Sequence, residues 1–459
     1  MFKLDGKFFE GVYEGKNLKK GSLLNYVLYT SSLYDKSKPA AFCLTFDGLN
    51  TEQVSALEYL AHEGEMPPFV ALGVFPGRVE PTLDGGIARN MRKEEYDVAD
   101  REFPDFLVDE LIPEILAKHG IKISDSPDLH MISGGSSGGI AAWTGAWYRN
   151  DFFRRAFISS PSFLAMGMGE DIPFLVKKLE ARPIKICLTL GEHEPDDYFG
   201  SSYPVGLLFE RSLNFAGYDY EYSYFPNEGH CCRIRDYESQ IGFMRYLWKD
   251  ALTNPVKLAE KSKRIVDLIG ENSTWCAAES TDFKSHKSVI CHAGTYEACG
   301  DKVYFIGESK EKTVAAEGFG NISALAVSAD KWRLYIADRD RRYIYAMSIC
   351  ADSTLKDLCK LGTLHLDKDC RTIGAYDMTV DSNDRLYIAT DMGVQCMRSY
   401  GIVDIILPLP NDIAANSVML CGHILYAQSG EKCFARTIIP EELQSDGKNA
   451  ALRHTGYYD

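Results

Sequence analysis

Short apolar runs and helix-compatible stretches alternate along the first 250 residues. The apolar runs have the length of buried strands and cover residues 24–29, 40–46, 69–75, 129–132, 153–159, 184–190 and 218–225. The stretches between them that suit helices are residues 53–63, 103–119, 140–147, 209–216 and 235–248. Because strands and helices alternate, the pattern predicts a mostly parallel sheet with helices on both faces.

The pattern changes after residue 248. A polar connection over residues 249–263 is followed by short strand-like runs, and related runs recur at residues 303–306, 334–338, 386–390 and 424–427. Spacings of roughly 40–50 residues are typical of β-propeller blades. We predict an α/β domain over residues 1–250, a linker over 251–272 and a short all-β, propeller-like domain over 273–459. Its blades would number four clear ones and a degenerate one near Trp275.

Length and charge narrow the classes of function. The chain has 459 residues, more than one ordinary core holds, which agrees with two domains. Its formal net charge is −15 and no long Lys/Arg block is present, so the sequence lacks the basic surface that nucleic-acid binding requires. No apolar stretch has the length of a signal peptide core or a membrane span. We therefore expect a cytoplasmic protein with neither a nucleic-acid nor a membrane partner.

The cysteines indicate neither a disulfide framework nor a metal site. There are 13 of them, scattered along the chain and without a C-x-x-C pair. This spacing does not match a disulfide framework or a zinc site. We expect most of them to be small buried apolar residues, and we expect no metal or cofactor.

The stretch Gly134-Gly135-Ser136-Ser137-Gly138-Gly139 joins a predicted strand to a predicted helix. A G-x-S-x-G turn in this setting holds its serine in a strained conformation that lifts the hydroxyl above the sheet. Two overlapping frames fit, so spacing alone allows either serine to be the nucleophile. The alternative is a Gly/Ser loop that only turns the chain or binds a phosphate.

A base and an acid follow in the order serine, acid, histidine that α/β hydrolases use. His230 comes after the last predicted strand, where a general base is expected. The loop after residues 186–190 offers four carboxylates, which are Glu192, Glu194, Asp196 and Asp197.

Two loops are predicted to complete the site. The central strand at residues 40–46 ends in Asp47-Gly48-Leu49-Asn50, and the Leu49 N–H is our candidate oxyanion donor from this loop. A plain Asp-Gly turn is the alternative. Arg92 belongs to a long polar loop, residues 77–95, that we expect near the substrate cleft together with Asp47 and Gly48.

These motifs resemble the enterochelin-esterase and esterase-D group of α/β hydrolases, which includes feruloyl and acetyl-xylan esterases. The similarity extends over residues 26–248 and rests on Phe46-Asp47-Gly48, Glu95-Tyr96-Asp97, Gly134–Gly139, Gly191-Glu192-His193-Glu194 and Gly229-His230. The group's elbow is G-x-S-x-G-G, which implies Ser136 as the nucleophile and the Ser137 N–H as the second oxyanion donor. The group's acid position falls on Glu194. Many members have aspartate there, which keeps the other three carboxylates open.

The second half resembles propellers of the gluconolactonase and regucalcin type, which use one divalent metal. The positions of two of that group's metal ligands hold Ser323 and Tyr376, and the adjacent Asp377 would project from the wrong face. The resemblance therefore implies an accessory platform that covers the cleft or mediates assembly.

The function expected from the sequence is that of a serine carboxylesterase. Its substrate would be a small-molecule or carbohydrate ester, such as a feruloyl or acetyl ester or a siderophore-like lactone. One alternative is a metal-dependent sugar lactonase in the second half, and another is a non-catalytic binding protein on a hydrolase scaffold. The sequence leaves the oligomeric state open, including a homo-oligomer.

Overall fold

Two units make up the chain: Met1–Lys177 with Ala181–Glu260, and Lys178–Glu180 with Lys261–Asp459. The computed structural model describes residues 1–82, 84–165, 169–251, 253, 255–256, 268–270, 273–279, 283, 286–366 and 370–439. Most of the predicted linker, residues 251–272, lies outside the described residues.

The first unit contains twelve described strands and eight described α-helices. The strands are β1 Lys7–Glu14, β2 Leu23–Thr30, β3 Ala41–Phe46, β4 Phe69–Val74, β5 Arg78–Val79, β6 Arg89–Asn90, β7 His130–Gly135, β8 Arg155–Ser159, β9 Lys185–His193, β10 Asp196–Asp197, β11 Gly200–Ser201 and β12 Asp219–Gly229. The helices are α1 Thr51–His62, α2 Arg92–Tyr96, α3 Glu102–Asp105, α4 Ile112–His119, α5 Ser137–Tyr148, α6 Ile172–Lys178, α7 Ser202–Ala216 and α8 Tyr237–Trp248. Short 3₁₀ turns cover Pro127–Leu129, Phe163–Ala165 and Gly169–Asp171.

Ten of these strands form one sheet, in the order β12-β9-β8-β7-β3-β4-β2-β5-β6 with β1 beside β2. The six strands from β12 to β4 are parallel, whereas β1 and β2 pair antiparallel. The carboxyl ends of β3, β7, β8, β9 and β12 therefore lie along one edge of the sheet. In an open α/β sheet, this edge is where a site forms.

Alternate residues of the central strands pack against different helices. Met131 of β7 belongs to the same buried cluster as Leu57 of α1 and Leu247 of α8. The next residue, Ile132, faces the opposite side, because a Cβ built on Gly145 of α5 would lie 2.4 Å from its Cδ1. The predicted parallel sheet with helices on both faces, an α/β-hydrolase arrangement, is confirmed.

The long helix predicted over residues 103–119 is interrupted by a π-helical segment at Phe106–Leu111, between α3 and α4. The backbone N–H of Ile112 bonds to the carbonyl of Leu107, five residues earlier. Pro113 follows directly and has no N–H to donate, which removes one regular α-helical bond at this point.

The second unit contains sixteen described strands. They are β13 Cys276–Ala278, β14 Ser288–Ile290, β15 Thr295–Cys299, β16 Lys302–Ile306, β17 Lys312–Glu317, β18 Ile322–Val327, β19 Arg333–Asp338, β20 Tyr343–Ile349, β21 Leu355–Thr363, β22 Asp377–Val380, β23 Leu386–Thr390, β24 Gly393–Met397, β25 Val403–Leu407, β26 Ser417–Cys421, β27 Ile424–Ser429 and β28 Lys432–Thr437. A 3₁₀ turn covers Pro410–Asp412.

These strands form four antiparallel sheets of four strands each, arranged like a four-bladed propeller. Each of the four recurring sequence runs lies in a different sheet, so the predicted propeller class is confirmed. The prediction of a degenerate blade near Trp275 is wrong. The strand that follows Trp275, β13, pairs with β28 and completes the last sheet instead of starting a fifth.

None of the helices in the described ranges is both long and apolar enough to cross a membrane.

Glu95, on α2, is fully buried and accepts a hydrogen bond from the Gly77 N–H (2.7 Å). Burial raises the pKa of Glu95 to about 7 although this hydrogen bond opposes the change. At a pH between the ordinary pKa of glutamate and about 7, Glu95 is therefore protonated in the folded state and ionised in the unfolded chain. The resulting stability is present at acid pH and is lost as the pH rises to 7.

Replacing Glu95 by glutamine is expected to remove this loss. We expect the variant to exceed the native protein in free energy of unfolding by about 2 kcal/mol at pH 8, with a smaller difference at pH 5. Urea unfolding of both proteins at the two pH values measures it. A difference that is equal at both pH values would contradict the explanation.

Candidate active site

Ser136 lies at the turn between β7 and α5 and has φ 57° and ψ −126°. This is a strained conformation for a residue with a side chain, and it is the one expected of a nucleophile at an elbow. Ser137 is the first residue of α5 and is not among the described residues with positive φ. Of the two frames that the sequence allowed, the strained position is therefore at Ser136.

Backbone and side-chain atoms lie very close to the glycines of the elbow. A Cβ built on Gly134 would lie 2.1 Å from the carbonyl oxygen of Gly138. A Cβ on Gly135 would lie 2.7 Å from Ile234 Cδ1 and 2.9 Å from Cys231 Sγ. The loop that carries His230 thus packs directly on the elbow.

The hydroxyl of Ser136 is not used to cap α5. Its oxygen lies 3.0 Å from Ser162 Oγ, and among the described residues this is its one recorded hydrogen bond. No hydrogen bond joins Ser136 to His230 in this part of the chain. Such contacts are often long before substrate binds, and they shorten in the reacting complex.

His230 and Glu194 form a close pair, with His230 Nδ1 2.5 Å from Glu194 Oε2. The carboxylate is almost completely buried, whereas the imidazole is partly exposed. Burial would raise the pKa of Glu194, but hydrogen bonds from His230, Ser160 and Gly191 hold it below its ordinary value. Glu194 is therefore ionised at neutral pH and fixes the orientation of the histidine ring.

The other three carboxylates of this loop have partners elsewhere. Glu192 accepts a hydrogen bond from the Asn227 N–H (2.7 Å). Asp196 accepts from the Ser201 hydroxyl (2.6 Å), and Asp197 accepts from the Phe199 N–H. Among the four candidates, the recorded hydrogen bond to His230 is made by Glu194.

Ser160 links the acid to the histidine loop. Its buried hydroxyl donates to Glu194 Oε1 (2.5 Å) and accepts from the Cys231 N–H (2.9 Å). Neither Ser160 nor Ser162 was indicated by the sequence pattern. The signal that points to them is their position, since both follow β8 at the carboxyl edge of the sheet, beside the elbow strand.

A pocket of about 210 Å³ opens beside Ser136. Its lining combines the loop after β3, the elbow and the loop after His230. The lining residues are Thr45, Phe46, Asp47, Gly48, Leu49, Asn50, Gln53, Arg92, Ser133, Gly134, Gly135, Ser136, Phe157, Cys231, Ile234 and Arg235. The structure thus brings the predicted Asp47, Gly48, Leu49 and Arg92 to the same pocket as the predicted nucleophile, while Ser137 is not among the lining residues.

The Leu49 N–H is available to a ligand on this side of the pocket. The Gly48 N–H, by contrast, bonds to the Val74 carbonyl. Within the described residues no acceptor is recorded for the Leu49 N–H, nor for that of Ser137 at the start of α5. The Ser137 N–H is free because the first N–H groups of a helix have no partner inside it, whereas Leu49 lies in the loop before α1. Both N–H groups are suited to hold an anionic oxygen.

Arg92 is held at the pocket rim by Asp47, with which it forms an ion pair, and its guanidinium lies 5.0 Å from the centre of the Tyr96 ring. Asp47 also lies close to the elbow, since its Oδ2 is 3.4 Å from a Cβ built on Gly138. Both residues of this pair line the same pocket as Ser136.

The imidazole of His230 lies beside the thiol of Cys231. A hydrogen bond to this thiol and, next, the interaction with Glu194 raise the pKa of His230 well above its ordinary value, although burial opposes the change. The neutral imidazole is the form that accepts a proton. A reaction in which His230 accepts a proton should therefore become faster as the pH rises and reach its plateau above the pH at which an ordinary histidine titrates.

Removing the thiol is expected to move this pH dependence. In Cys231→Ala the acidic limb of the kcat/KM profile should shift to lower pH, because the imidazolium loses one hydrogen-bond acceptor. Cys232→Ala is the matched control and should leave the limb in place. The profile is measured with an activated ester, and a limb that does not move in Cys231→Ala would contradict the assignment.

The second unit does not fit the divalent metal of gluconolactonase-type propellers. Ser323 and Tyr376 are the residues that the sequence resemblance aligns with two of that group's ligands, and the Tyr376 hydroxyl donates to Asp391 (3.0 Å). Asp377 is engaged by His286, with 2.9 Å between the imidazole and the carboxylate. In the ranges that the structure describes, no group of three or more His, Cys, Asp and Glu residues could hold a metal ion.

No protein-family model matches the sequence, and no curated protein matches it either. Solved structures similar to about half of the chain include a ferulic acid esterase, with 14% identity, a TM-score of 0.39, and coverage of 53% of this chain and 98% of the esterase. The enterochelin esterase from Shigella flexneri is 16% identical with a TM-score of 0.42, and the match covers 55% of this chain and 60% of that enzyme. An IroE-like serine hydrolase from Shewanella oneidensis is 17% identical with a TM-score of 0.40, covering 53% of this chain and 81% of that one.

These likenesses are too distant to assign an activity.

Proposed function

We propose that the first unit is a serine carboxylesterase. The observation that carries the proposal is the strained backbone of Ser136 at the elbow, above the carboxyl edge of a mostly parallel sheet. The ion pair of His230 with the buried Glu194 lies on the two loops that follow. Ser136, Glu194 and His230 then have the roles of nucleophile, acid and base, and they follow one another in the chain order of an α/β-hydrolase triad.

In the first half of the reaction, Ser136 Oγ attacks the ester carbonyl carbon. His230 Nε2 takes the hydroxyl proton, and Glu194 stabilises the imidazolium that forms. The N–H groups of Leu49 and Ser137 hold the oxyanion. The imidazolium then gives its proton to the leaving alcohol, and the acyl group remains on Ser136.

In the second half, water attacks the acyl-enzyme with His230 again as the base. The acid leaves and the proton returns to Ser136 Oγ, which restores the starting state. His230 has to come within hydrogen-bond distance of Ser136 for both steps. We propose that substrate binding displaces Ser162 from the Ser136 hydroxyl and allows this contact.

The substrate class that we propose is an ester with a compact acyl group. A feruloyl or acetyl ester of a carbohydrate and a siderophore-like lactone both belong to this class. The pocket, at about 210 Å³, is smaller than the range of about 300–1,000 Å³ that is common for drug-sized ligands. It would hold part of such an ester rather than the whole molecule.

Pre-steady-state kinetics with 4-nitrophenyl acetate tests the proposal. We expect a burst of one equivalent of 4-nitrophenol per chain, followed by slower steady turnover as water resolves the acyl-enzyme. Turnover of this ester without any acylation of Ser136, as read from the intact mass of the quenched enzyme, would overturn the mechanism.

A further inference from the structure

Arg235 is a second guanidinium at the pocket, and unlike Arg92 it has no recorded partner among the residues that the structure describes. It lies on the loop between His230 and α8, it is exposed, and it lines the same pocket as Ser136. Within the described residues it makes no recorded hydrogen bond and no ion pair. An arginine without a carboxylate partner at the edge of a pocket is suited to bind an anion from outside the chain.

The acidic residues near Arg235 are engaged elsewhere. Glu228 is paired with Arg233 through two guanidinium nitrogens, at 2.8 Å from Nε and 2.5 Å from Nη2. Asp236, the next residue, caps α8 and accepts from the Ser239 N–H at 3.1 Å and from its hydroxyl at 2.5 Å. Of the two arginines on this loop, Arg233 is thus neutralised within the loop, whereas Arg235 is not.

The charge around the pocket is opposite in sign to that of the chain. The charged residues that line it are Asp47, Arg92 and Arg235, which together leave one positive charge. The chain as a whole carries −15. A local positive charge in a strongly negative protein attracts an anion to this place rather than to the surface in general.

The pocket lies on the acyl side of the reaction. It is lined by Ser136 and by Leu49, the proposed oxyanion donor, but His230 is not among the lining residues. The alcohol has to leave next to His230, because the imidazolium gives it a proton. The part of the ester that enters this pocket is therefore the acyl part.

We propose that Arg235 selects esters whose acyl group carries an anion, such as a carboxylate. This inference rests on the proposed esterase function and adds a substrate class to it. The guanidinium offers a planar pair of N–H donors to the anion, while Phe46, Phe157 and Ile234 provide apolar walls for the carbon skeleton.

The test compares two esters that differ in charge and hardly in shape: 4-nitrophenyl 4-carboxybenzoate and 4-nitrophenyl 4-carbamoylbenzoate. The native enzyme is expected to prefer the carboxylate. In Arg235→Gln, kcat/KM for the carboxylate should fall by about 10- to 100-fold and that for the carbamoyl ester by less than about 3-fold. Arg235→Lys should retain part of the preference because it keeps the charge.

Arg233→Gln is the matched control, since it removes an arginine from the same loop that does not line the pocket. It should leave the ratio of the two kcat/KM values unchanged. An unchanged ratio in Arg235→Gln would overturn the proposal, even if both kcat/KM values fell, because charge recognition acts only on the anion.

A binding measurement separates this proposal from the esterase proposal. The ligand is free 4-carbamoylbenzoate, which carries a carboxylate and has an amide in place of the ester. In calorimetric titration its binding should weaken by about 10-fold or more in Arg235→Gln. If this anion binds equally to both proteins, the anion site is wrong whatever the activity. If it binds as expected but neither ester acylates Ser136, the esterase function fails and the anion site stands.

Discussion

Replacing Ser136 by alanine is expected to lower kcat/KM for an activated ester by about 10⁴- to 10⁶-fold. The variant retains the oxyanion donors and the pocket, but no acyl-enzyme can form. Initial rates with 4-nitrophenyl acetate measure the loss, with the uncatalysed rate subtracted. The fold should persist, because Ser136 Oγ has one recorded hydrogen bond, to Ser162, within the described residues.

Ser137→Ala is the matched control for this variant. Its backbone N–H, the proposed oxyanion donor, is unchanged by the substitution. We expect its kcat/KM to stay within about 10-fold of the native value, since only a side-chain hydroxyl beside Asp97 is lost. A larger loss of kcat/KM in Ser137→Ala than in Ser136→Ala would identify Ser137 as the nucleophile instead.

The second large effect concerns the acid. Glu194→Ala should lower kcat by about 10³- to 10⁴-fold, because His230 loses the carboxylate that orients its ring and stabilises its protonated form. The same change should move the acidic limb of the kcat/KM profile to lower pH, since Glu194 raises the pKa of His230. Steady-state kinetics across the pH range measure both effects.

Three alanine variants in the same loop serve as controls. Glu192, Asp196 and Asp197 each bind other groups and make no recorded contact with His230 in the described part of the chain. Their replacement should change kcat by less than about 10-fold. A loss at one of these positions that equals or exceeds the loss in Glu194→Ala would assign the acid to that residue.

The sharp turn at Ser136 could be predicted because its signal is local. A strained turn between strand and helix needs small residues on both sides of the serine, so Gly134, Gly135, Gly138 and Gly139 mark it in the sequence. The strand and helix alternation likewise follows from local periodicity, which is why the sheet was predicted correctly.

The supporting residues of the site could not be predicted in this way. Ser160 and Ser162 make contacts between loops that are 26 to 71 residues apart in sequence, and Arg235 lines the pocket of a serine 99 residues before it. Such proximity depends on which strands are neighbours in the sheet. Serines after a strand are too common to indicate a role. Their role becomes visible only when β8 is placed between β7 and β9.

The blade count failed for a related reason. The strand β13 is apolar and short, so the sequence near Trp275 resembles a weak extra blade. In the structure, Ala277 pairs with Phe434 of β28, more than 150 residues later. Closing a sheet with a strand from the other end of the domain leaves no local signal.

The most direct test of the central claim is intact-mass analysis and peptide mapping after treatment with a fluorophosphonate. One equivalent of label on Ser136 is expected in the native protein and in Ser137→Ala, and none in Ser136→Ala. A folded native protein that takes up no label, or takes it up at another residue, would contradict the assignment of Ser136 as an activated nucleophile.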